Sequence, residues 1–366
     1  MKEQSVFATR RSRVLPLLHQ WTEPKEARAE AFLTTALPNV RYLTGFTGSN
    51  GALLITPARA ILFTDPRYTT QSAQEADCQI QIARGPLARH IAARMTKLRL
   101  KHVAFERNRV SFEDHQQLQE LAKGVNLKPF SGVVETLRMV KSADEIATIR
   151  ASVQLNSVAL EQAISRFKPG MSELDLAAEI DYRMRLLGAD GTAFDTLVAS
   201  GPRSALPHAH PTAHPIQTDE LLLIDMGATV AGYCSDMTRC YAVGKANTKI
   251  RRIYKAVLDS QLCALALLKP GMTCAKLDQA VRKVLRGYGL DKLFVHSTGH
   301  GLGLEIHERP RIGRKETVKF EPGMTVTIEP GVYQEGVGGV RIEDTVVVTE
   351  RGCEVLTPTK KELVVL

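Results

Sequence analysis

The chain has 366 residues, of which 44% are hydrophobic and 24% charged, and its formal net charge is +9. This composition is typical of a globular protein and excludes a disordered tail, a collagen-like rod and a small disulfide-stapled domain. No apolar run reaches the ~18 residues of a membrane span, and the apolar segment after Arg10-Arg11 is too short for a signal peptide. We therefore predict a cytoplasmic protein with no membrane partner.

The cysteines and the distribution of charge argue against two further classes of protein, zinc fingers and nucleic-acid-binding proteins. The six cysteines form no C-x-x-C pair, which argues against a zinc finger and fits a reducing compartment. Positive charge is densest from Arg84 to Arg109, where Glu106 is the single acid. Aromatic side chains that would stack on bases are nearly absent there, so we predict a solvated helix face and no nucleic-acid partner.

The first third of the chain alternates short strand and helix patterns. Residues 31–35 predict a strand, and residues 50–56 and 60–64 predict a hairpin that ends at Asp65-Pro66-Arg67-Tyr68. A helical pattern over 87–99 precedes a strand at 103–105. These elements predict a smaller α/β domain over residues 1–137.

A helix start marks the entry to a second domain. Ser142 and Glu145 have the spacing of a capping box, in which each side chain binds the other's free backbone N–H. Helical spacing continues to Ile164, and Lys168-Pro169-Gly170 ends it. We therefore place the second domain at residues 138–366.

The second domain contains an internal repeat. The segment Lys168-Pro169-Gly170-Met171-Ser172 recurs 101 residues later as Lys269-Pro270-Gly271-Met272-Thr273, and a helical pattern ending at a glycine follows each copy. Farther on, residues 224–227 resemble 328–331, and residues 235–238 resemble 342–345. Two similar halves predict a pseudo-twofold arrangement in an α+β fold.

Four acids end or interrupt apolar strand patterns in these two halves. Asp225 follows Leu221–Ile224, and a hairpin turning near Thr229-Val230 would bring Asp236 beside it. Glu329 and Glu343 have similar places in the second half, and His300 lies in a glycine-rich segment. Buried acids repel one another unless cations lie between them.

Two divalent metal ions would neutralise the charge of these four acids. Four carboxylates with one imidazole favour Mn²⁺, with Co²⁺, Zn²⁺ or Fe²⁺ as alternatives. Two such ions ~3.5–4 Å apart can share a hydroxide and polarise a carbonyl, which is hydrolytic chemistry.

These residues resemble the M24 metallopeptidases of the pita-bread fold, in particular the Xaa-Pro branch of aminopeptidase P and prolidase. Arg41–Phe46 and Thr64–Tyr68 are similar to the creatinase-type N-terminal domain of that branch, and Met139–Ile146 to its entry into the catalytic domain. The resemblance implies a creatinase-type domain over 1–137, a pita-bread metallopeptidase domain over 138–366 and a homodimer.

The resemblance also implies roles for individual residues. Asp236 and Glu343 would bridge both metals, Asp225 would complete one metal site, and His300 with Glu329 the other. Glu329 would also take a proton from the attacking water. The remaining pocket residues would be His208 and His307, which stabilise the tetrahedral intermediate, and His296, Arg341 and Tyr333, which contact substrate.

The resemblance further implies peptide substrates with proline in second position. An Xaa-Pro bond has no N–H, and a metal site does not need that donor. The sequence slightly favours an aminopeptidase P-type enzyme, with a prolidase that accepts Xaa-Pro dipeptides as the alternative. A metal-free creatinase-like amidinohydrolase and a non-catalytic protein- or RNA-binding module are less favoured, because all five ligand positions are filled.

Overall fold

The computed structural model describes residues 5–23 and 27–366 of the chain. The chain divides into two compact units, Met1–Arg138 and Met139–Leu366. The predicted domain boundary lies one residue before this division. Within the described ranges, no helix combines the length and the apolar character needed to cross a bilayer.

The first unit is a mixed sheet with helices packed around it. Its elements are α1 (Val6–Ser12), α2 (Val14–Gln20), β1 (Ala31–Thr34), α3 (Leu37–Thr44), β2 (Ala52–Ile55), β3 (Ala60–Thr64), α4 (Thr69–Glu75), β4 (Gln79–Ile82), α5 (Leu87–Lys97), β5 (His102–Glu106), α6 (Phe112–Leu121), β6 (Asn126–Phe130) and α7 (Val133–Arg138). The strand order is β4-β3-β2-β1-β5-β6. The predicted hairpin is confirmed, since Leu53 of β2 pairs with Leu62 of β3 in antiparallel register.

The second unit contains two helix pairs and several sheets. Its elements are α8 (Ala143–Ile164), α9 (Glu173–Leu186), β7 (Gly191–Thr192), β8 (Leu197–Ser200), β9 (Glu220–Met226), β10 (Ala228–Val230), β11 (Tyr233–Cys234), β12 (Met237–Val243), α10 (Thr248–Leu267), α11 (Cys274–Gly287), β13 (Gly299–Gly301), β14 (Glu308–Ile312), β15 (Thr325–Ile328), β16 (Gly331–Gln334), β17 (Gly338–Arg341), β18 (Asp344–Val348), β19 (Cys353–Val355) and β20 (Val364–Val365). The two larger sheets have the orders β20-β12-β9-β8 and β14-β13-β15-β18-β19. Neighbouring strands in the sheets of this unit are antiparallel except for the parallel pair β12 and β20.

The internal repeat is visible as repeated backbone bonding. The N–H of Gly170 donates to the carbonyl of Ile216, and the N–H of Gly271 donates to Phe320, both at 2.9 Å. Both glycines have positive φ, +92° and +80°, which a side chain would disfavour. Each Lys-Pro-Gly turn is therefore fixed in the same way before α9 and α11.

Helix α8 fixes the strands that lead to the site. The predicted capping box between Ser142 and Glu145 is present at its start. Farther along, Ser152 Oγ donates to the carbonyl of Ala228 at 2.9 Å, and Asn156 Nδ2 donates to that of Met226 at 3.0 Å. Because both side chains are buried, these bonds tie α8 firmly to the β9–β10 corner.

Candidate metal centre

The first pair of acids lies on the β9–β12 hairpin. Asp225 is the next-to-last residue of β9 and stands opposite Thr238 of β12, while Asp236 directly precedes β12. The chain reverses at Ala231 and Gly232, two residues beyond the predicted turn. Both have positive φ, 45° and 76°, as tight hairpin turns of this hand require.

The second pair of acids lies at corresponding places in the other half. Glu329 directly follows β15, and its N–H donates to the carbonyl of Thr298 at 2.8 Å. Glu343 lies between β17 and β18, and its N–H donates to the carbonyl of Thr238 at 3.2 Å. Strands of both halves thus hold the acids through backbone bonds.

These side chains converge on one site. One ligand atom each of Asp236, His300 and Glu343 lies within 4.8 Å of the other two. Nε2 of His300 lies 3.5 Å from Oδ2 of Asp236 and 3.6 Å from Oε1 of Glu329. Asp225 adjoins the same cluster: burial is the main cause that raises the pKa values of Asp236, Glu343 and Glu329, and repulsion from the nearby carboxylate of Asp225 adds to it.

His300 presents an acceptor nitrogen to these carboxylates. Its Nδ1 lies 3.0 Å from the carbonyl of Gly301, so Nδ1 carries the proton and Nε2 keeps its lone pair. Burial lowers the pKa of His300 to about 4, which keeps the imidazole neutral near pH 7. The backbone of β15 leaves no space for a side chain on the residue before His300. A Cβ on Gly299 would lie 1.9 Å from the carbonyl oxygen of Thr327. The glycine before His300 is therefore a steric requirement.

The electrostatics of the acids fit a bound cation. Burial, followed by repulsion from Glu343 and Asp225, raises the pKa of Asp236 well above its ordinary value. Burial and repulsion from Glu329 act likewise on the pKa of Glu343, and burial raises the pKa of Glu329 to about 8. Oδ1 of Asp225 is buried and has no hydrogen-bond partner among the described residues. An oxygen-rich cluster with an acceptor imidazole and an unsatisfied carboxylate oxygen suits divalent metal.

Three further predicted residues form one hydrogen-bonded chain. Arg341 Nη1 donates to the hydroxyl of Tyr333 at 2.7 Å, and that hydroxyl donates to Nε2 of His296 at 2.9 Å. Nδ1 of His296 donates to the carbonyl of Ser297 at 2.8 Å. Burial, with Arg341 next in importance, lowers the pKa of His296 to about 4, so this imidazole is also neutral.

Arg341, which the sequence predicts to contact substrate, pairs with Asp225. Its Nη2 donates to Oδ2 of Asp225 at 2.5 Å. Asp344 accepts from Arg239 Nη2 at 2.8 Å. The guanidinium of Arg341 therefore reaches from the second half of the repeat to an acid of the first half.

The two remaining histidines lie on loops at the site. The ring of His307 contacts that of His300 edge to face, with centroids 4.5 Å apart. His208 is exposed and follows Pro207, whose carbonyl accepts from Arg341 Nη1 at 3.2 Å. All ten residues predicted from the sequence thus belong to one region.

The structure adds three residues that sequence reasoning missed. Thr238 Oγ1 donates to Glu343 Oε2 at 2.6 Å, and Thr345 Oγ1 donates to the carbonyl of Asp236 at 2.9 Å. The repeat that aligns residues 235–238 with 342–345 held this signal, because each threonine supports the acid of the opposite half. Arg311 is exposed on β14 and pairs with His300 across the strands, and its positive charge offsets a small part of the burial that raises the pKa of Glu329.

Comparison with known families gives two matches along the chain. Residues 21–140 match the creatinase/prolidase N-terminal domain, and residues 147–350 match metallopeptidase family M24. The first match ends two residues beyond the division after Arg138, and the second lies entirely within the second unit.

Individual relatives cover nearly the whole chain. A protein named Xaa-Pro dipeptidase from Pyrococcus horikoshii is 36% identical over 339 residues, which are 92% of this chain and 94% of that one. The solved structure of an Xaa-Pro dipeptidase from Bacillus anthracis covers 98% of this chain and 100% of its own, at 36% identity and a TM-score of 0.94. That of an X-Pro aminopeptidase from Thermotoga maritima has the same coverages, 34% identity and a TM-score of 0.89.

Proposed function

The chain belongs to metallopeptidase family M24, and on that premise we propose that it is a metal-dependent Xaa-Pro dipeptidase. Family membership confirms the predicted fold, a creatinase-type N-terminal domain with a pita-bread catalytic domain. The observation that carries the proposal is the convergence of Asp236, His300 and Glu343 in a chain whose similar proteins are named for Xaa-Pro cleavage. A metallopeptidase is thereby favoured over the amidinohydrolase and the binding module.

The comparisons favour the dipeptidase over the aminopeptidase that the sequence slightly preferred. The relative from Pyrococcus horikoshii and the structure from Bacillus anthracis both carry the dipeptidase name. The similar X-Pro aminopeptidase structure from Thermotoga maritima keeps cleavage of longer peptides as the second candidate.

Five residues would hold the metals, which we propose to be two Mn²⁺ ions. They would be Asp225, Asp236, His300, Glu329 and Glu343, and Asp236 and Glu343 would serve both ions. Oxygen donors with one imidazole suit Mn²⁺. When bound, divalent ions neutralise these acids, polarise the scissile carbonyl and lower the pKa of a water.

The chain's own residues would orient the peptide and move the proton. Glu329, whose Oε1 lies 3.6 Å from Nε2 of His300, would accept a proton from the attacking water. His307, whose pKa burial lowers, is neutral and can donate an N–H to the developing oxyanion, together with His208. Arg341, Tyr333 and His296 form a rigid wall, since each is held by the next in a hydrogen-bonded chain.

A dipeptide substrate ends in a carboxylate directly after the proline ring. Arg311 is an exposed cation opposite His300, and we propose that it binds this carboxylate. A longer peptide carries an uncharged amide at that point and would lose this interaction. Cleavage of a dipeptide therefore depends on Arg311, whereas cleavage of a longer peptide does not.

The test is an assay of Mn²⁺-loaded protein against an Xaa-Pro dipeptide and an Xaa-Pro-Xaa tripeptide, each with an EDTA control. We expect the dipeptide to be cleaved, chelation to abolish cleavage, and R311M to raise the dipeptide KM without changing a tripeptide rate. Preferential tripeptide cleavage would assign the aminopeptidase instead. Cleavage of an Xaa-Ala peptide at the Xaa-Pro rate would contradict the proline specificity.

We also propose that the enzyme works in the cytosol as a homodimer. The six cysteines are free in the structure, which agrees with a reducing compartment. Analytical ultracentrifugation of the full chain tests the dimer, and a monomer at micromolar concentration would refute it.

A further inference from the structure

The loop that carries His208 is tied at both ends to one buried carboxylate. The N–H of Ser200, at the end of β8, donates to Oε1 of Glu173 at 2.8 Å. The N–H of Thr212, at the other end of the loop, donates to Oε2 of the same residue at 3.0 Å. Because Glu173 is fully buried at the start of α9, it fixes the span of the 200–212 loop.

Side-chain donors also bind the Glu173 carboxylate, and together with the two backbone bonds they form what we call the Glu173 clamp. The hydroxyl of Thr212 donates to Oε2 of Glu173 at 2.9 Å, and that of Ser200 donates to Oε1 at 3.3 Å. Arg203 Nε lies 3.1 Å from Oε2, which supplies the opposite charge that a buried carboxylate needs. Arg203 Nη2 also donates across the loop to the carbonyl of His210 at 2.7 Å.

The loop held in this way contacts the metal site. The carbonyl of Pro207 accepts from Arg341, and Ser204 Oγ accepts from the N–H of Gly339 at 2.9 Å. A Cβ on Gly339 would lie 2.1 Å from the carbonyl oxygen of Ser204, so the loop lies directly on β17. His208 thus belongs to a segment that Glu173 holds at both ends and that also packs against β17.

The second half of the repeat fixes its own histidine segment with different residues. Asp278 of α11 is fully buried and accepts from Thr298 Oγ1 at 2.8 Å and from Arg282 Nε at 2.8 Å. Arg282 Nη2 donates to the carbonyl of His296 at 2.5 Å. The repeat counterpart of Glu173 is Cys274, so the two clamps occupy non-equivalent positions. A fixed histidine segment is therefore the feature that both halves share.

We propose that Glu173 is a positioning residue for peptide hydrolysis, acting by holding the 200–212 loop so that His208 faces the metal centre. This inference rests on the proposed function, because it takes its consequence from the role proposed for His208. A displacement of ~1 Å in a donor can cost ~10²-fold in rate.

The isosteric variant E173Q removes the clamp with little change in volume. Its amide has one acceptor oxygen, so it cannot accept from both Ser200 and Thr212, and Arg203 loses its counter-charge. We expect kcat to fall ~10–10²-fold while KM changes less than ~3-fold and metal content stays at the wild-type level. E173D keeps the charge for Arg203 and should recover part of the lost kcat.

A matched control lies two residues along the same helix. Asp175 closes the capping box of α9 with Ser172, a bond directed at the helix start and not at the loop. D175N therefore weakens the start of the helix but leaves the Glu173 carboxylate and its bonds to Ser200 and Thr212 in place, so its kcat should stay near the wild-type value. Amide hydrogen exchange in the metal-free proteins provides a readout independent of activity: residues 200–212 should exchange faster in E173Q than in D175N.

The outcomes separate this inference from the proposed function. Wild-type kcat in E173Q, equal losses in E173Q and D175N, or unchanged exchange over residues 200–212 would each overturn the positioning role. If the wild-type enzyme cleaves no Xaa-Pro peptide, the proposed function fails, and the exchange comparison still decides whether Glu173 holds the loop. If E173Q does not fold, E173D against D175N gives the same comparison with a smaller expected difference.

Discussion

Arg341 donates from Nη2 to Oδ2 of Asp225 at 2.5 Å, while Oδ1 of that carboxylate is buried and has no partner among the described residues. One oxygen of Asp225 is thus bound by a cation of the protein, and the other is left for a ligand. The fork of Arg341 also reaches Tyr333 and the hydroxyl of Thr238. A single guanidinium therefore orients an acid, a tyrosine and a threonine of the site.

This geometry predicts that Arg341 cannot be replaced by lysine. R341M should lower kcat/KM by ~10²–10³-fold, and R341K should resemble it, because an ammonium cannot reproduce the planar fork. Steady-state kinetics on an Xaa-Pro dipeptide measures both. Arg150, which pairs with Glu354 at the surface, gives the matched control R150K with unchanged kinetics. An R341K enzyme with wild-type kcat/KM would refute the argument.

Removal of either acid that we propose to serve both metals should remove metal and activity together. D236N or E343Q leaves the site with one carboxylate fewer, and each neutral amide is a weaker ligand for a divalent ion. We expect less than one metal per chain by plasma mass spectrometry and no measurable turnover. The surface variant E354Q should keep both. An active variant that still binds two metals would contradict the bridging assignment.

Metal binding should release protons and tighten as pH rises. In the metal-free protein, burial raises the pKa of Glu329 to about 8, and the pKa values of Asp236 and Glu343 are raised as well. Below these pKa values the carboxyls hold protons that a metal must displace, so affinity rises with pH until the acids are ionised. Calorimetry of Mn²⁺ binding at pH 6.5 in buffers of different ionisation enthalpy measures the release. Equal binding heats in all buffers would refute this prediction.

His208 should matter for turnover but not for metal binding. H208A should keep its metals and lose ~10²-fold in kcat, the loss expected for one donor to the oxyanion. His210 is exposed in the same loop, so H210A is the matched control and should keep wild-type kcat. Metal content and kinetics are measured on the same preparations. Equal rates for H208A and the wild type would remove His208 from the mechanism.

The first unit should show a pH-dependent stability that Glu106 controls. This side chain is buried, accepts from Thr34 and Asn39 at 2.5 and 2.6 Å, and burial raises its pKa from 4.5 to about 7. The folded state thus holds the proton more tightly, so the free energy of unfolding falls as pH rises from about 4.5 to 7. E106Q should not show this fall. The free energy of unfolding of E106Q, relative to that of wild type, should therefore be ~1–3 kcal/mol higher at pH 8 than at pH 5.

Urea unfolding followed by Trp21 fluorescence measures this effect, because Trp21 is the single tryptophan and lies in the first unit. Glu30 provides a control of opposite sign. Backbone N–H donors of Lys101 and His102 lower its pKa, so E30Q should lose stability at pH 8 and little near pH 4. A constant difference between E106Q and wild type across pH would show that Glu106 does not titrate as expected.

Local patterns in the sequence were sufficient for many elements. The β2–β3 hairpin, the α8 capping box and the repeated turns before α9 and α11 all follow from side-chain spacing and turn residues within a few positions. The turn between Asp225 and Asp236 was predicted two residues early, because Thr229 and Val230 are β-branched and continue the strand while Ala231 and Gly232 adopt positive φ.

Which side chains pair with one another could not be predicted from local sequence patterns. The sequence predicted that Arg341 contacts substrate and gave no sign that it also pairs with Asp225, 116 residues away. Thr238 likewise gave no local signal of its contact with Glu343, which lies in the other half of the repeat. Such pairings depend on how the two halves of the repeat face each other, which spacing along one strand does not encode.

By itself, the sequence determined which residue types this site contains, because acids that interrupt apolar strands must be compensated wherever the chain folds. It also determined the duplicated plan, because the same turn and helix signals recur 101 residues apart. Only the tertiary structure decided which oxygen of Asp225 meets Arg341, which nitrogen of His300 faces the acids, and that Glu173 closes the His208 loop. Hydrogen bonds act over about 3 Å and depend on direction, so they are fixed only once distant segments are packed together.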